Sequence, residues 1–143
     1  MLAPNDQQIF LIDDDDVVRD SLKVLLESHG LQVRDFRNAA EFISEMGGPR
    51  AGCLVLGYNR AIAAGLDLVA TLWRRGATMP AIFIVGGGDA MTRAAALAAG
   101  AFAYIERPVE ETALIRAVTA ALGRKSGRGA PASPATAKAS LGG

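Results

Sequence analysis

Short apolar runs alternate along the chain with stretches in which apolar residues recur every three or four positions. Three runs are uninterrupted: Ile9-Phe10-Leu11-Ile12, Cys53-Leu54-Val55-Leu56 and Ala81-Ile82-Phe83-Ile84-Val85. They are short and rich in β-branched and aromatic residues, as expected of strands covered on both faces. Leu31 to Phe36 reads as a further strand with Leu31, Val33 and Phe36 as its buried set, and Ala101 to Ile105 as a fifth. Between them lie helical periodicities. The first, from about Asp15 to Ser28, carries Val18, Leu22, Leu25 and Leu26 and ends at His29-Gly30. Asn38 is a good N-cap for a short helix to Met46 with Phe42, Ile43 and Met46 on one face, stopped by Gly47-Gly48-Pro49. A loop reaching Gly65 should lead into a helix carrying Leu66, Leu68, Val69, Leu72 and Trp73, ending near Gly76. Asp89 caps an alanine-rich helix to Ala99, and a last helix from about Val109 carries Leu114, Ile115, Val118 and Leu122.

Strand and helix thus alternate through connections short enough for βαβ units, which predicts an α/β fold, a parallel sheet with helices on both faces. In such sheets the functional crevice lies at the carboxyl ends of the strands. The first strand brings Asp13 and Asp14 there, the third Gly57, the fourth Val85 and Gly86, and the fifth Arg107.

Composition narrows the class. The chain has 143 residues, 50% hydrophobic and 21% charged, with zero net charge. That is enough chain for one domain with a sizeable core. The charge is unevenly spread: up to Leu122 there are 11 basic and 15 acidic residues, a balance of −4. The remainder carries Arg124, Lys125, Arg128 and Lys138 and no acid. An acidic body argues against direct nucleic-acid binding. Residues 1–122 form the expected domain, and 123–143, rich in Gly, Ala, Pro and Ser, a flexible tail or truncated linker. The lone Cys53 cannot form an internal disulfide and suits a reducing compartment. With no cationic apolar leader and no apolar run of about 18 residues, the expectation is a cytoplasmic protein without a membrane anchor. His29, the only histidine, reads as a helix-end residue, and no Ser-His-Asp, Cys-His or zinc spacing offers an enzyme site.

The chemistry concentrates in Asp13-Asp14-Asp15-Asp16. Acids at a helix start gain roughly 0.3–1 kcal/mol each from the macrodipole. Four together repel one another, so either a cation or a basic side chain answers one or two of them, or all four are solvated first-turn and capping acids. Three further stretches stand at strand ends: Leu56-Gly57-Tyr58-Asn59, Gly86-Gly87-Gly88-Asp89 and Tyr104-Ile105-Glu106-Arg107-Pro108. Together, over roughly Gln8 to Leu122, they resemble the receiver domain of bacterial two-component response regulators, closest to the FixJ-like type. The resemblance implies a flavodoxin-like (βα)5 fold with strand order 2-1-3-4-5. It also implies a site in which an acidic pair holds Mg²⁺ and an aspartate ending the third strand accepts a phosphoryl group. A hydroxyl residue after the fourth strand and a lysine after the fifth would bind the phosphoryl oxygens.

Carried over by position, Asp13 and Asp14 match the acidic pair, and Asn59 matches the residue whose backbone carbonyl completes the metal site. The other three depart: Gly57 stands in place of the phosphoacceptor, Val85 of the hydroxyl residue and Arg107 of the lysine. Glycine offers no nucleophile, valine no hydrogen bond, and arginine replaces a point charge by a planar fork. Tyr58 reads as a loop aromatic, and Gly86-Gly87-Gly88 lacks the lysine and hydroxyl of a P-loop. The expectation is a phosphorylation-independent pseudo-receiver, not an enzyme, that holds Mg²⁺ weakly if at all and acts through a protein partner. That partner would be a signalling protein, a histidine kinase, an output domain or a second copy of the chain. The resemblance assigns a switch and partner face to the fourth helix, fifth strand and fifth helix, with Tyr104 and Pro108 at its site end. It also implies a cis Arg107-Pro108 bond. Losing one carboxylate leaves room for Arg107 to pair with Asp13 or Asp14. Two alternatives stand beside this reading. One is the regulatory receiver of a transcription factor whose DNA-binding part lies outside this chain; the other is a receiver that accepts phosphate on a displaced carboxylate.

Overall fold

The computed structural model describes residues 8–46, 52–58, 62–76 and 79–123. Five strands form one parallel sheet in the order β2-β1-β3-β4-β5. They are β1 (Gln8–Asp13), β2 (Gln32–Phe36), β3 (Cys53–Tyr58), β4 (Ala81–Val85) and β5 (Ala103–Glu106). The helices that follow them in turn are α1 (Asp16–Glu27), α2 (Ala39–Met46), α3 (Ala63–Arg74), α4 (Ala90–Ala98) and α5 (Glu111–Leu122).

Strand side chains alternate between two cores because successive residues point to opposite faces. Ile9, Leu11, Cys53, Val55, Ile82 and Ile84 pack against Leu22 and Leu26 of α1 and Leu114 and Val118 of α5. Phe10, Ile12, Leu54, Leu56, Phe83 and Val85 face α2, α3 and α4. On that second face Phe42 lies between Phe10 and Phe36, with ring centroids 5.6 and 5.3 Å away. Burial on both faces explains the unbroken apolar runs of β1, β3 and β4. At the sheet edge, β2 keeps Val33 only half-buried while Phe36 is buried.

The second strand begins at Gln32 and the last helix at Glu111, one and two residues later than expected, and two further boundaries differ for reasons of packing and hydrogen bonding. The loop expected to reach Gly65 ends earlier: α3 begins at Ala63 and takes Gly65 into its first turns. A glycine there costs roughly 0.5–1 kcal/mol relative to alanine, but the packing requires it. A Cβ on Gly65 would lie 2.7 Å from Tyr58 Cε2 and 2.8 Å from Phe83 Cε2. The fifth strand starts at Ala103 instead of Ala101, because the N–H of Ala101 bonds back to Ala96 and the turn from α4 continues through it. Gly123 closes α5, and the rest of the predicted tail lies outside the described residues.

Candidate functional site

The strand register sets what meets at the carboxyl edge. Asp13 is the last residue of β1 and pairs with Gly57 of β3; Tyr58 pairs with Val85, and Val85 with Glu106. The chain leaves β5 through Arg107, whose N–H bonds to the Val85 carbonyl, and the Arg107-Pro108 peptide is cis. Asp13, Gly57 and Arg107 converge. The Arg107 Nη2 donates to Asp13 Oδ2 at 3.1 Å, the contact expected between this arginine and the acidic pair.

Asp13 is buried, 3% exposed, the one charged or polar side chain in the core among the described residues. Its Oδ1 accepts the N–H of Asp15 at 2.9 Å, so each oxygen already faces a protein donor. Burial pushes its carboxyl above the ordinary value, and the Asp15 N–H and Arg107 guanidinium offset only part of that cost. Gly57 is what lets the pair form. A Cβ built on it would overlap Asp13 Oδ2 and lie 2.9 Å from Asp13 Cγ and 3.0 Å from Arg107 Nη2. The volume of a side chain at 57 is occupied by the ion pair. Arg107 Nε is buried without an acceptor among the described residues, so the guanidinium is held through one edge.

The four acids divide by role. Asp13 pairs with Arg107, and Asp15 caps α1, its Oδ1 accepting the N–H groups of Val17 and Val18 at 3.0 and 3.1 Å. Asp16 accepts from Arg19 Nη2 at 2.6 Å, and Asp14 is exposed. Arg19 is the residue that the sequence reading passed over. From the first turns of α1 it also donates Nη1 to the Asp13 carbonyl at 2.8 Å and Nε to Asp35 at the end of β2 at 3.0 Å. The signal was present in its spacing: a base three residues after an acid on a helix meets it on one face. The reach to Asp35 needed the β1–β2 pairing and was not legible locally.

Val85 is buried among apolar side chains and directs no polar atom at the crevice. Beside it the Tyr104 ring is 2% exposed, under Arg93 of α4 at 5.8 Å. Tyr104 is thus a buried residue of β5 beneath α4; Pro108 is exposed. A Cβ on Gly88 would overlap the Tyr104 hydroxyl, which finds no partner among the described residues. Burial, with a smaller contribution from Glu106 and Asp89, raises the phenol pKa. Tyr58 ends β3, packs on Phe83 at 6.4 Å and has its phenol pushed up to about 12, by burial first and by Asp14 and Asp13 second. His29 Nε2 lies 2.8 Å from Glu111 Oε2, tying the end of α1 to the start of α5.

Among the described residues the crevice presents a carboxylate paired with a guanidinium, where a divalent cation would call for free oxygen ligands. Mg²⁺ needs oxygen ligands in near-octahedral array; here both Asp13 oxygens are engaged and a guanidinium stands among them. Asn59 lies outside the described residues. Among the described residues no group of three or more His, Cys, Asp and Glu side chains could hold a metal. No described helix is long and apolar enough to cross a membrane.

The sequence model of the response regulator receiver domain matches residues 9–119. The chain belongs to that family. Among curated proteins it is similar to the transcriptional regulatory protein FixJ of Azorhizobium caulinodans, 39% identical over 126 residues, 88% of this chain and 60% of that protein. It is also 39% identical over 118 residues to the transcriptional regulatory protein TdiR of Thauera aromatica, covering 82% of this chain and 52% of that one. The crystal structure of FixJ-N superposes with a TM-score of 0.76 at 30% identity, covering 87% of this chain and 98% of that one. The chain spans about half the length of the curated relatives it matches. It is a FixJ-like receiver with the expected strand order 2-1-3-4-5.

Proposed function

We propose that this receiver is a pseudo-receiver: it signals without accepting a phosphoryl group, by docking a protein partner. The observation that carries the reading is at the end of β3. Gly57 has no nucleophile, and the space beside it is taken by the Asp13–Arg107 pair. Acyl phosphate formation needs a carboxylate at the reacting position and room for the incoming group; neither is offered. Val85 adds no hydrogen-bond donor for a phosphoryl oxygen. The partner would be a kinase, an output domain or another signalling protein, or a second copy of the chain. The face around α4 and β5 suits such docking: Met91 is 80% exposed, Ala94, Ala95 and Ala98 are exposed beside it, and α4 carries no acid. The experiment is incubation with acetyl phosphate, followed by intact mass. The expected result is an unchanged mass; a stoichiometric phosphoryl adduct on any carboxylate would overturn the reading and favour a displaced acceptor.

A second reading has its own support. The curated relatives are about twice as long as the matched segment, and several are named as transcriptional regulators. The receiver would then be the regulatory part of such a protein, with residues 123–143 as a linker. Sequencing the locus past Gly143 decides it: a helix-turn-helix in frame supports this reading, and a stop codon removes it.

A further inference from the structure

We infer that Arg107 is a resident cation, a covalently attached substitute for a metal ion, and that Gly57 is the residue that admits it. The inference rests on the reading of the crevice as degenerate and goes further, since it says what the crevice holds instead. Three observations converge. The guanidinium is within 3.1 Å of the most buried carboxylate of the acidic run. The same Nη2 lies 3.0 Å from where a Cβ on Gly57 would be, so any side chain at 57 competes with it for space. The neighbouring acids are also satisfied from within, Asp16 by Arg19 and Asp15 by the α1 backbone, and Asp14 is exposed with no hydrogen-bond partner among the described residues.

A metal ion at this place would have to displace a charge that cannot diffuse away. Removing Arg107 should therefore open a cation site, whereas adding metal to the parent should do little. Like charges held a few ångströms apart in a partly buried site repel strongly, and a tethered cation keeps a high effective concentration at its carboxylate. The crevice is closed to divalent ions by its own side chain.

The test is calorimetric titration of MgCl₂ into the 143-residue chain, with thermal melting in matched ionic strength. For the parent, no saturable binding is expected up to about 10 mM, above the ~1 mM range of weak carboxylate sites. Arg107→Ala should bind Mg²⁺ at least about tenfold more tightly than the parent, and its lowered melting temperature should recover on adding Mg²⁺. If Arg107→Ala does not fold, Arg107→Gln keeps the stem without the charge and carries the same expectation. Saturable parent binding below about 10 mM, or charge-free variants that bind no better than the parent, would overturn the inference. Its failure is distinguishable from that of the pseudo-receiver reading: a parent that binds Mg²⁺ yet keeps its mass in acetyl phosphate removes only the resident cation.

Discussion

At the scale of single residues, the crevice shows how one missing side chain decides what its neighbours do. Gly57 is extended strand with no backbone requirement for glycine; the requirement is spatial, set by Asp13 and Arg107. Gly57→Asp restores the residue that the family resemblance leads one to expect, yet it should destabilise this chain. The new Cβ must push the Asp13–Arg107 pair apart, at a cost of about 1–3 kcal/mol typical of overpacking. A third acid beside Asp13 and Asp14 adds repulsion. In an Arg107→Ala background the steric part should shrink, because the Asp13 carboxylate is then free to turn, so the two substitutions will not add. Urea unfolding of the four proteins measures this, and strictly additive costs would contradict it. Which positions gather at the crevice was legible from the sequence, because strand ends in a parallel sheet are fixed by where apolar runs stop. What the pair does was only half legible. Arg107 was expected to reach Asp13 or Asp14, and the pleat decides: Asp13 is still in register with Gly57, while Asp14 has left the strand and turned to solvent.

At the scale of elements, the acidic loop is held by a base on the helix that follows it. Arg19 links the carbonyl ending β1, Asp16 at the start of α1 and Asp35 in β2, so one side chain fixes three elements around the mouth of the crevice. Arg19→Ala should cost about 1–3 kcal/mol, the range for charge-assisted bonds to partly buried groups. It should also change the acid limb of stability. Burial alone would raise the Asp35 carboxyl, but hydrogen bonds from Arg19 and Lys23 and their charges outweigh it and hold the group below its ordinary value. A carboxyl depressed in the fold binds its proton more readily when unfolded. Its contribution is therefore complete above the unfolded value of about 3.9 and is lost as pH falls through the native one. Without Arg19 the Asp35 titration should move up and acid unfolding begin at higher pH, which carboxyl-carbon NMR and far-ultraviolet dichroism would follow. An unmoved Asp35 titration would mean that Lys23 suffices. Most element ends were legible because local chemistry writes them: Asp15 and Asp89 cap α1 and α4 as their side chains dictate, and Gly30 takes the left-handed turn after α1 at φ 83°. Gly65 misled because a glycine at a helix start reads as a loop. Its actual reason, two aromatic rings from β3 and β4, is tertiary and has no local trace.

At the scale of the whole molecule, a ligand shifts a conformational equilibrium only by binding its two states unequally. If the cation belongs to the chain and no phosphoryl group is accepted, neither metal nor phosphodonor has a differential affinity to contribute. The fold should then keep one arrangement at the ends of β4 and β5. The contacts there favour a single packing: Gly86 bonds to the Tyr58 carbonyl, Arg107 to the Val85 carbonyl, and the Tyr104 ring is enclosed by Gly88 and Arg93. Of the residues of α4, Ala96 alone is fully buried, so this helix has few anchors and would register any change beneath it. Amide hydrogen exchange reads that directly. In the parent chain, protection across Gly86 to Ala98 should be the same with and without Mg²⁺ and beryllium fluoride. In Arg107→Ala it should fall, because Asp13 loses its partner while the loop after β5 loses its tether, and Mg²⁺ should return part of it. Ligand-dependent protection in the parent would mean that the crevice still communicates with α4 by an outside ion. Unchanged protection in Arg107→Ala would mean that the Asp13–Arg107 pair, though well formed, does not hold the face on which a partner would dock.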